Sequence, residues 1–204
     1  IMNNLSIRKP VQDDAGFLLT NKNGSYAFLR QRPTSRYEGI FLFDSKHMYK
    51  FIEHIAITGS GKIKKIINRF QSIEREWDNV KESFFMPRNF HALVYELDTA
   101  MGIDLFLDCK DSYDNREFGR HYDVFEEDGC VVVKFTKRTD EREDGTAGME
   151  QYTLYLAVKA DRLAYKKTSS WVERVHASDQ QRNSLPSRRF VYHALNLRAK
   201  TLVF

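Results

Sequence analysis

The residues of this chain best suited to bind a polar ligand stand together at Arg36, Tyr37 and Glu38. An arginine fork donates hydrogen bonds to hydroxyl groups, and the aromatic face of a tyrosine packs against the C–H surface of a sugar. A purely structural interpretation is also open, in which Arg36 pairs with an acid, Tyr37 packs in the core and Gly39 permits a bend. We take Arg36, Tyr37 and Glu38 as candidate substrate-binding residues.

Carboxylates are abundant, but no pair stands out for acid–base chemistry. Cleavage of a glycosidic bond needs two of them, one that protonates the leaving oxygen and one that activates water. Asp108, Asp111 and Asp114 are spaced by three, and we expect them to be solvated where a strand gives way to a loop. The acids at 126–128 precede Gly129 and are expected to be exposed. We therefore predict no catalytic residue in this chain.

The sequence gives no support for a metal or cofactor site. Gly59-Ser60-Gly61-Lys62 resembles part of a phosphate loop, but Ala56 and Ile63 replace the first glycine and the final hydroxyl residue, so a turn is predicted. The histidines have no metal-ligand spacing, although they could converge in space. They are His47, His54, His91, His121, His176 and His193.

The candidate binding residues follow a predicted β-hairpin. Phe17, Leu18 and Leu19 lead into Asn23-Gly24, and the apolar run 26–29 leads out of it. Asn-Gly is the pair that a type I′ turn favours, because both central residues need positive φ. Arg36, Tyr37 and Glu38 should therefore lie just beyond the second strand.

Alternation with a period of two recurs along the chain and predicts half-buried strands. The alternating segments are 103–108, 122–125, 131–136 and 152–158, and turn residues recur at Asn23-Gly24, Gly59–Gly61, Asp98–Gly102 and Asp128-Gly129. The segments 47–57 and 62–70 are expected to pair through the glycine turn at 59–61. Only Ser72–Lys81 is a helical candidate, and 139–148 is predicted to be an exposed loop. The fold class is therefore all-β, an antiparallel two-sheet β-sandwich with little helix, in a single domain over residues 1–204.

The C-terminal segment 190–204 is apolar and predicted to be a strand. An apolar edge strand at a natural terminus would invite aggregation. We therefore expect an excised N-terminal domain whose parent chain continues, with a short protein that has a genuine C-terminal strand as the alternative. A further patch, Arg182-Asn183-Ser184 with Pro186, is expected to be a surface loop or part of an interdomain surface.

Composition and charge favour a soluble globular protein. The 32 lysine and arginine residues are interleaved with 28 acidic residues, so the net charge is only +4, which argues against nucleic acid as a partner. No apolar run is long enough to cross a membrane. Cys109 and Cys130 stand among apolar neighbours and are expected to be free thiols in a cytoplasmic protein.

Two motifs carry a family resemblance. Thr20, Asn21, Gly24, Tyr26 and Ala27 spell T-N-x-x-G-x-Y-A, and Thr34, Arg36, Tyr37 and Gly39 spell T-x-R-Y-x-G. Over about 25 residues the segment resembles the start of the N-terminal domain of bacterial and archaeal glycogen-debranching enzymes, the amylo-α-1,6-glucosidase and glucoamylase-like family. Lys22, Ser25 and Leu29 stand where that family has glycine, and Glu38 where it has histidine.

The resemblance implies a non-catalytic β-sandwich domain of the supersandwich type, packed on an (α/α)6 barrel that carries the catalytic carboxylates. The partners would be that intramolecular catalytic domain and an α-glucan such as glycogen, without a cofactor, and the fragment alone would be inactive. Two alternatives remain open. One is a free-standing sugar mutarotase or epimerase, which would use a histidine and a glutamate as acid and base. The other is a non-enzymatic carbohydrate-binding module.

Overall fold

The computed structural model describes residues 6–10, 15–139 and 150–204, and its regular secondary structure is almost entirely antiparallel strand. This confirms the predicted all-β class. The described residues contain one short helix, α1 (Ala177–Gln181). The strands are β1 (Ile7–Pro10), β2 (Phe17–Thr20), β3 (Tyr26–Leu29), β4 (Gly39–Phe43), β5 (Met48–Ile57), β6 (Ile63–Asn68), β7 (Ser72–Trp77), β8 (Lys81–Phe85), β9 (Val94–Asp111), β10 (Arg120–Glu127), β11 (Cys130–Arg138), β12 (Glu150–Ala160), β13 (Tyr165–Val175) and β14 (Arg188–Val203).

Two long strands, β9 and β14, form the centre of the sheet. They pair from Tyr192 opposite Leu107 to Val203 opposite Val94. The other edge of β9 takes β8 near its start and β5 near its end, while β14 takes β13 near its start and β12 at its end. The sheet therefore branches into β8-β7-β6-β1, β5-β4-β3-β2 and β12-β11-β10.

The branches curl over one another around a shared apolar core. Phe17 of β2 packs on Phe84 of β8 with ring centroids 4.8 Å apart, and Tyr122 of β10 stacks on Tyr192 of β14 at 4.3 Å. The alternation predicted for the strands at 103–108, 131–136 and 152–158 is confirmed, since one phase of each lies in the core. Burial of one face fixes the register of these core strands.

The helix predicted at Ser72–Lys81 is wrong, because this segment forms β7 and the first residue of β8. Ile73, Arg75 and Trp77 alternate toward the interior. Arg75 is only 2% exposed and its guanidinium pairs with the buried carboxylate of Glu82. The buried arginine hides the strand-like alternation in the sequence, because charged residues are normally expected to be exposed.

The hairpin predicted around Asn23-Gly24 is confirmed, but its turn type is wrong. Strands β2 and β3 pair, yet only Gly24 of the two turn residues has positive φ, at +83°. The side-chain Oδ1 of Asn21 accepts hydrogen bonds from the backbone N–H groups of Asn23 and Ser25, at 3.0 and 3.1 Å, and this fixes a wider loop. Both central residues have positive φ at Asp128-Gly129, where β10 and β11 meet as predicted.

The turn at Gly59–Gly61 is present, but the strand pairing expected across it and the turn expected at Asp98–Gly102 are wrong. Strands β5 and β6 flank Gly59–Gly61 but do not pair, because β5 lies between β4 and β9 whereas β6 lies between β1 and β7. Asp98–Gly102 lies inside β9. It falls where the partner of β9 changes from β8 to β5, so the chain continues extended across the junction.

The C-terminal strand is present as predicted, but it is not an edge strand. Strand β14 has neighbours on both sides, Leu202 is fully buried, and the backbone of Phe204 pairs with Leu93 in both directions at 3.0 Å. The exposed apolar edge on which the expectation of an excised domain rested is therefore absent from the described residues. The loop predicted at 139–148 lies, beyond Thr139, outside the described residues.

Both cysteines are free, with Cys109 buried and Cys130 partly buried. In the described part of the chain, no helix is long and apolar enough to cross a membrane.

Candidate functional site

The segment Thr34–Gly39 is bound to the loop that carries α1, a contact between two patches that are far apart in sequence. The backbone N–H of Ser178 donates to the carbonyl of Thr34 at 2.9 Å. The buried carboxylate of Asp179 accepts from the hydroxyl of Ser35 at 2.7 Å and from the backbone N–H of Arg36 at 2.8 Å. The loop at 176–186 therefore positions the candidate residues.

Arg36 points into this loop. Its side chain is only 6% exposed. One terminal nitrogen donates to the carbonyls of Ser184 and Pro186, at 2.9 and 3.2 Å, and the other to the hydroxyls of Ser184 and Tyr37, both at 3.1 Å. The patch containing Ser184 and Pro186 thus acts as the acceptor for Arg36. Most of the donors of Arg36 are used to join the two segments.

Glu38 is also turned inward. It is 1% exposed and accepts hydrogen bonds from the backbone and the hydroxyl of Thr34, at 3.0 and 2.8 Å, and from Nε of Arg30 at 3.0 Å. Burial raises the pKa of Glu38 above its usual value, although these hydrogen bonds oppose the shift. Glu38 therefore stabilises the turn at 34–38, because its buried carboxylate bonds back to Thr34.

Tyr37 is the most exposed of the three candidates, at 40%. It lines a cleft of about 420 Å³, which we call the motif cleft. The aromatic side of the cleft is formed by Tyr37 and Phe28, while Gln181 and Arg182 line the side of α1. The complete lining is Phe28, Arg30, Ser35, Tyr37, Glu38, Ser178, Gln181 and Arg182.

The first half of the family motif holds the hairpin and does not line the motif cleft. Thr20 pairs with Tyr26 at the end of β2, Ala27 is fully buried, and the ring of Tyr26 stacks on Phe41 at 4.6 Å. The amide of Asn21 also donates to the carbonyl of Phe90 at 3.0 Å, which ties the turn to a distant loop. Both the oxygen and the nitrogen of the Asn21 side chain therefore form hydrogen bonds within the protein.

A buried charge network, not predicted from the sequence, lies beneath the segment Thr34–Gly39. Lys50 of β5 donates to the backbone carbonyl of Arg36 at 2.9 Å and pairs with Glu53 and Asp108. The other oxygen of Glu53 lies 2.8 Å from Nε2 of His176, which leads into α1. The network therefore joins both halves of the site to the sheet.

Asp108 is the acidic centre of this network, so the expectation that it is solvated is wrong. It is fully buried in β9 and contacts Arg189 and Arg120 at 3.0 Å each. Burial alone would raise the pKa of Asp108, but Arg189, Lys50 and further cations outweigh it and hold that pKa well below its usual value. An aspartate at a polar position of a long apolar strand was the sequence signal that could have indicated this role.

The other acids and histidines named above are dispersed. Asp114 pairs with Arg116, and the acids at 126–128 are exposed at the end of β10 as predicted. His54 and His193 each stack on Phe106, whereas His176 lies against Glu53. In the described ranges, no group of three histidine, cysteine or acidic residues could hold a metal ion.

The chain matches no protein-family model, no curated protein and no solved structure.

Proposed function

We propose that this chain is a non-catalytic N-terminal domain of a cytoplasmic glycogen-debranching enzyme of the amylo-α-1,6-glucosidase type. The domain packs on an (α/α)6 catalytic barrel and presents the motif cleft to an α-glucan. Its finer architecture is a two-sheet supersandwich. The packing of Tyr122 on Tyr192 across the curled sheet supports this architecture.

The observation that carries the proposal is the exposed ring of Tyr37 in a cleft of about 420 Å³. A glucose unit offers an apolar C–H face and a rim of hydroxyls. Tyr37 and Phe28 suit the face, and Gln181 and Arg182 suit the rim. Both rings belong to the segment that resembles the debranching family, so the motif and the cleft support the same ligand.

The chemistry of the cleft supports binding without hydrolysis. A glycosidase needs two carboxylates on either side of the scissile bond. Glu38 is the one carboxylate among the described residues that line the cleft, and it accepts three hydrogen bonds from Thr34 and Arg30. The hydrolytic step therefore belongs to the proposed barrel.

Titration with maltoheptaose and with an α-1,6-branched maltooligosaccharide, followed by NMR, tests the proposal. We expect shifts at Tyr37 and Gln181, and Tyr37→Ala should weaken binding about tenfold through loss of one aromatic platform. Tyr155→Ala is the matched control, since Tyr155 is 59% exposed and lies outside the cleft. Absence of binding, equal binding by Tyr37→Ala, or α-glucosidase activity of the chain alone would each refute this function. The codons that follow Phe204 then separate a debranching enzyme from a stand-alone carbohydrate-binding module, since only the first continues into a barrel.

One observation favours a sugar mutarotase as the second candidate. Nε2 of His193 lies 3.0 Å from a carboxylate oxygen of Asp104 on the polar face of the sheet, with side chains 17% and 28% exposed. The histidine–glutamate pair of His176 and Glu53 is fully buried, so it has no access to a sugar. A polarimetric assay of glucose anomer interconversion distinguishes the two candidate functions. Activity that His193→Gln abolishes would favour the mutarotase over the glucan-binding domain.

A further inference from the structure

A row of three stacked rings crosses the polar face of the sheet. His54 of β5, Phe106 of β9 and His193 of β14 are direct cross-strand neighbours. The ring of Phe106 lies 4.5 Å from that of His193 and 6.1 Å from that of His54, with interplanar angles of 24° and 22°. The row thus forms a flat, rigid floor across three strands.

Arg174 of β13 extends over this floor. Its guanidinium carbon lies 5.4 Å from the centre of the Phe106 ring. The Nε atom of Arg174 is shielded from solvent and has no hydrogen-bond partner. A shielded donor without an acceptor costs free energy, and a ligand that accepts from this nitrogen would recover it.

A second uncompensated arginine lies nearby. Arg32 is exposed beside His54. Burial lowers the pKa of Arg174, Glu53 opposes that shift, and the charge of Arg32 adds to it. Within the described parts of the chain, neither Arg32 nor Arg174 forms an ion pair. Two like charges therefore face one region of the surface.

The acids of this region, Asp104 and Glu53, already contact other residues. Asp104 accepts from Asn196 at 2.8 Å and pairs with His193, while Glu53 is held by Lys50 and His176. Neither carboxylate is within ion-pair distance of Arg174, so the two guanidinium groups retain a net charge of about +2 between them.

A cavity of about 300 Å³ opens beside Arg32. Arg32, Gln31 and His54 line it, together with the glycine turn at 59–61. The space above Gly59 is open, with no atom within 4 Å of the position that a side chain would take. The cavity is large enough for a small ligand and lies beside Arg32 and His54.

We propose that Arg32 and Arg174, over the His54–Phe106–His193 floor, bind a phosphate monoester dianion. Phosphate carries a charge of about −1.5 to −2 at neutral pH, which matches two guanidinium groups, and its oxygens accept the paired donors of arginine. The cavity beside Arg32 takes the organic group of the ester. This site is separate from the motif cleft and does not depend on its function.

Titration of the whole chain with inorganic phosphate, glucose 6-phosphate and sodium sulfate, followed by NMR, tests the site. We expect shifts at His54, Phe106 and Arg174, with glucose 6-phosphate binding at least as tightly as phosphate. Arg174→Gln and Arg32→Gln should each weaken binding at least about tenfold. Arg162→Gln is the control, because Arg162 is exposed and precedes β13, whereas Arg174 lies near the other end of that strand.

The titration of His54 provides a second readout. Burial, with Arg174 and Arg75, lowers the pKa of His54 to about 4. A bound phosphate should offset the field of Arg174 and raise that pKa, whereas a purely structural arginine would leave it unchanged on phosphate addition. If Arg174→Gln does not fold, the exposed Arg32→Gln variant still decides. The proposal is overturned if phosphate does not bind, if both arginine variants bind as well as wild type, or if Arg162→Gln loses as much affinity.

Discussion

Replacing Gly39 by alanine is expected to cost far more stability than replacing Gly59, although both glycines have positive φ. Gly39 has φ of +117° and begins β4, whereas Gly59 has φ of +72° in the turn after β5. A side chain at Gly59 would meet no atom within 4 Å, while one at Gly39 would lie 2.2 Å from the carbonyl oxygen of Ile52. The two variants therefore share the conformational strain and differ in the clash.

The magnitudes follow from that difference. At Gly59 only the left-handed backbone is penalised, at about 1–2 kcal/mol. At Gly39 the backbone strain is about 1–3 kcal/mol. Strand β5 must also retreat by roughly 1 Å at Ile52, a fully buried residue paired with Ile40. Loss of one or two ladder hydrogen bonds and local packing adds about 2 kcal/mol, giving a total of about 4 kcal/mol.

Urea unfolding of wild type, Gly39→Ala and Gly59→Ala, monitored by tryptophan fluorescence, measures the difference. We expect Gly39→Ala to lose about 2–3 kcal/mol more than Gly59→Ala, or about 4–12 °C in melting temperature for a chain of this length. The slopes with denaturant should agree, so that the midpoints report stability. If the two variants unfold within about 0.5 kcal/mol of each other, the close approach of β4 and β5 at Gly39 is not a stability determinant.

Two further predictions concern buried titratable groups. Lys110 is 3% exposed, and burial lowers its pKa to about 8 from 10.5. Between those pH values the unfolded chain binds more protons, so the free energy of unfolding should rise by up to about 3 kcal/mol in wild type, and denaturation curves of Lys110→Met should lack that rise. Burial raises the pKa of Cys109 to about 12, so Cys130 should react first with a disulfide reagent, and Cys130→Ser should remove the fast phase. Fast labelling of Cys109 in the folded chain would contradict its burial.

The strands were predictable because their signal is local. In β11 and β12 the apolar phase recurs every second residue, and burial of one face of a sheet is enough to make that pattern meaningful. The hairpin at Asn23-Gly24 was predictable for the same reason, since turn residues act within four positions. Its turn type was not, because the side chain of Asn21 reorganised the loop.

Failures of prediction occurred where charged residues are buried. The segment Ser72–Lys81, predicted to be helical, is a strand whose Arg75 guanidinium lies in the interior against Glu82. Asp108 was expected to be solvated where a strand gives way to a loop, but it is fully buried within β9. Such residues are inside only because a partner from another strand neutralises them, and that partner cannot be read from the neighbouring sequence.

The candidate site was predictable in part. Arg36, Tyr37 and Glu38 were correctly placed beyond the hairpin, but Arg36 and Glu38 turn inward while Tyr37 reaches the cleft. The inward direction depends on the acceptors of the 176–186 loop. No local pattern relates those two segments.

The sequence by itself determined the all-β class, most strand positions and the hairpin with its family motif, because each depends on interactions within a few residues. Only the tertiary structure decided that β14 is central, that Asp108 is buried, and that His54, Phe106 and His193 form one row. These features require strands distant in the chain to become neighbours. That pairing is set by burial of the whole core, which is a property of the folded chain and not of any segment.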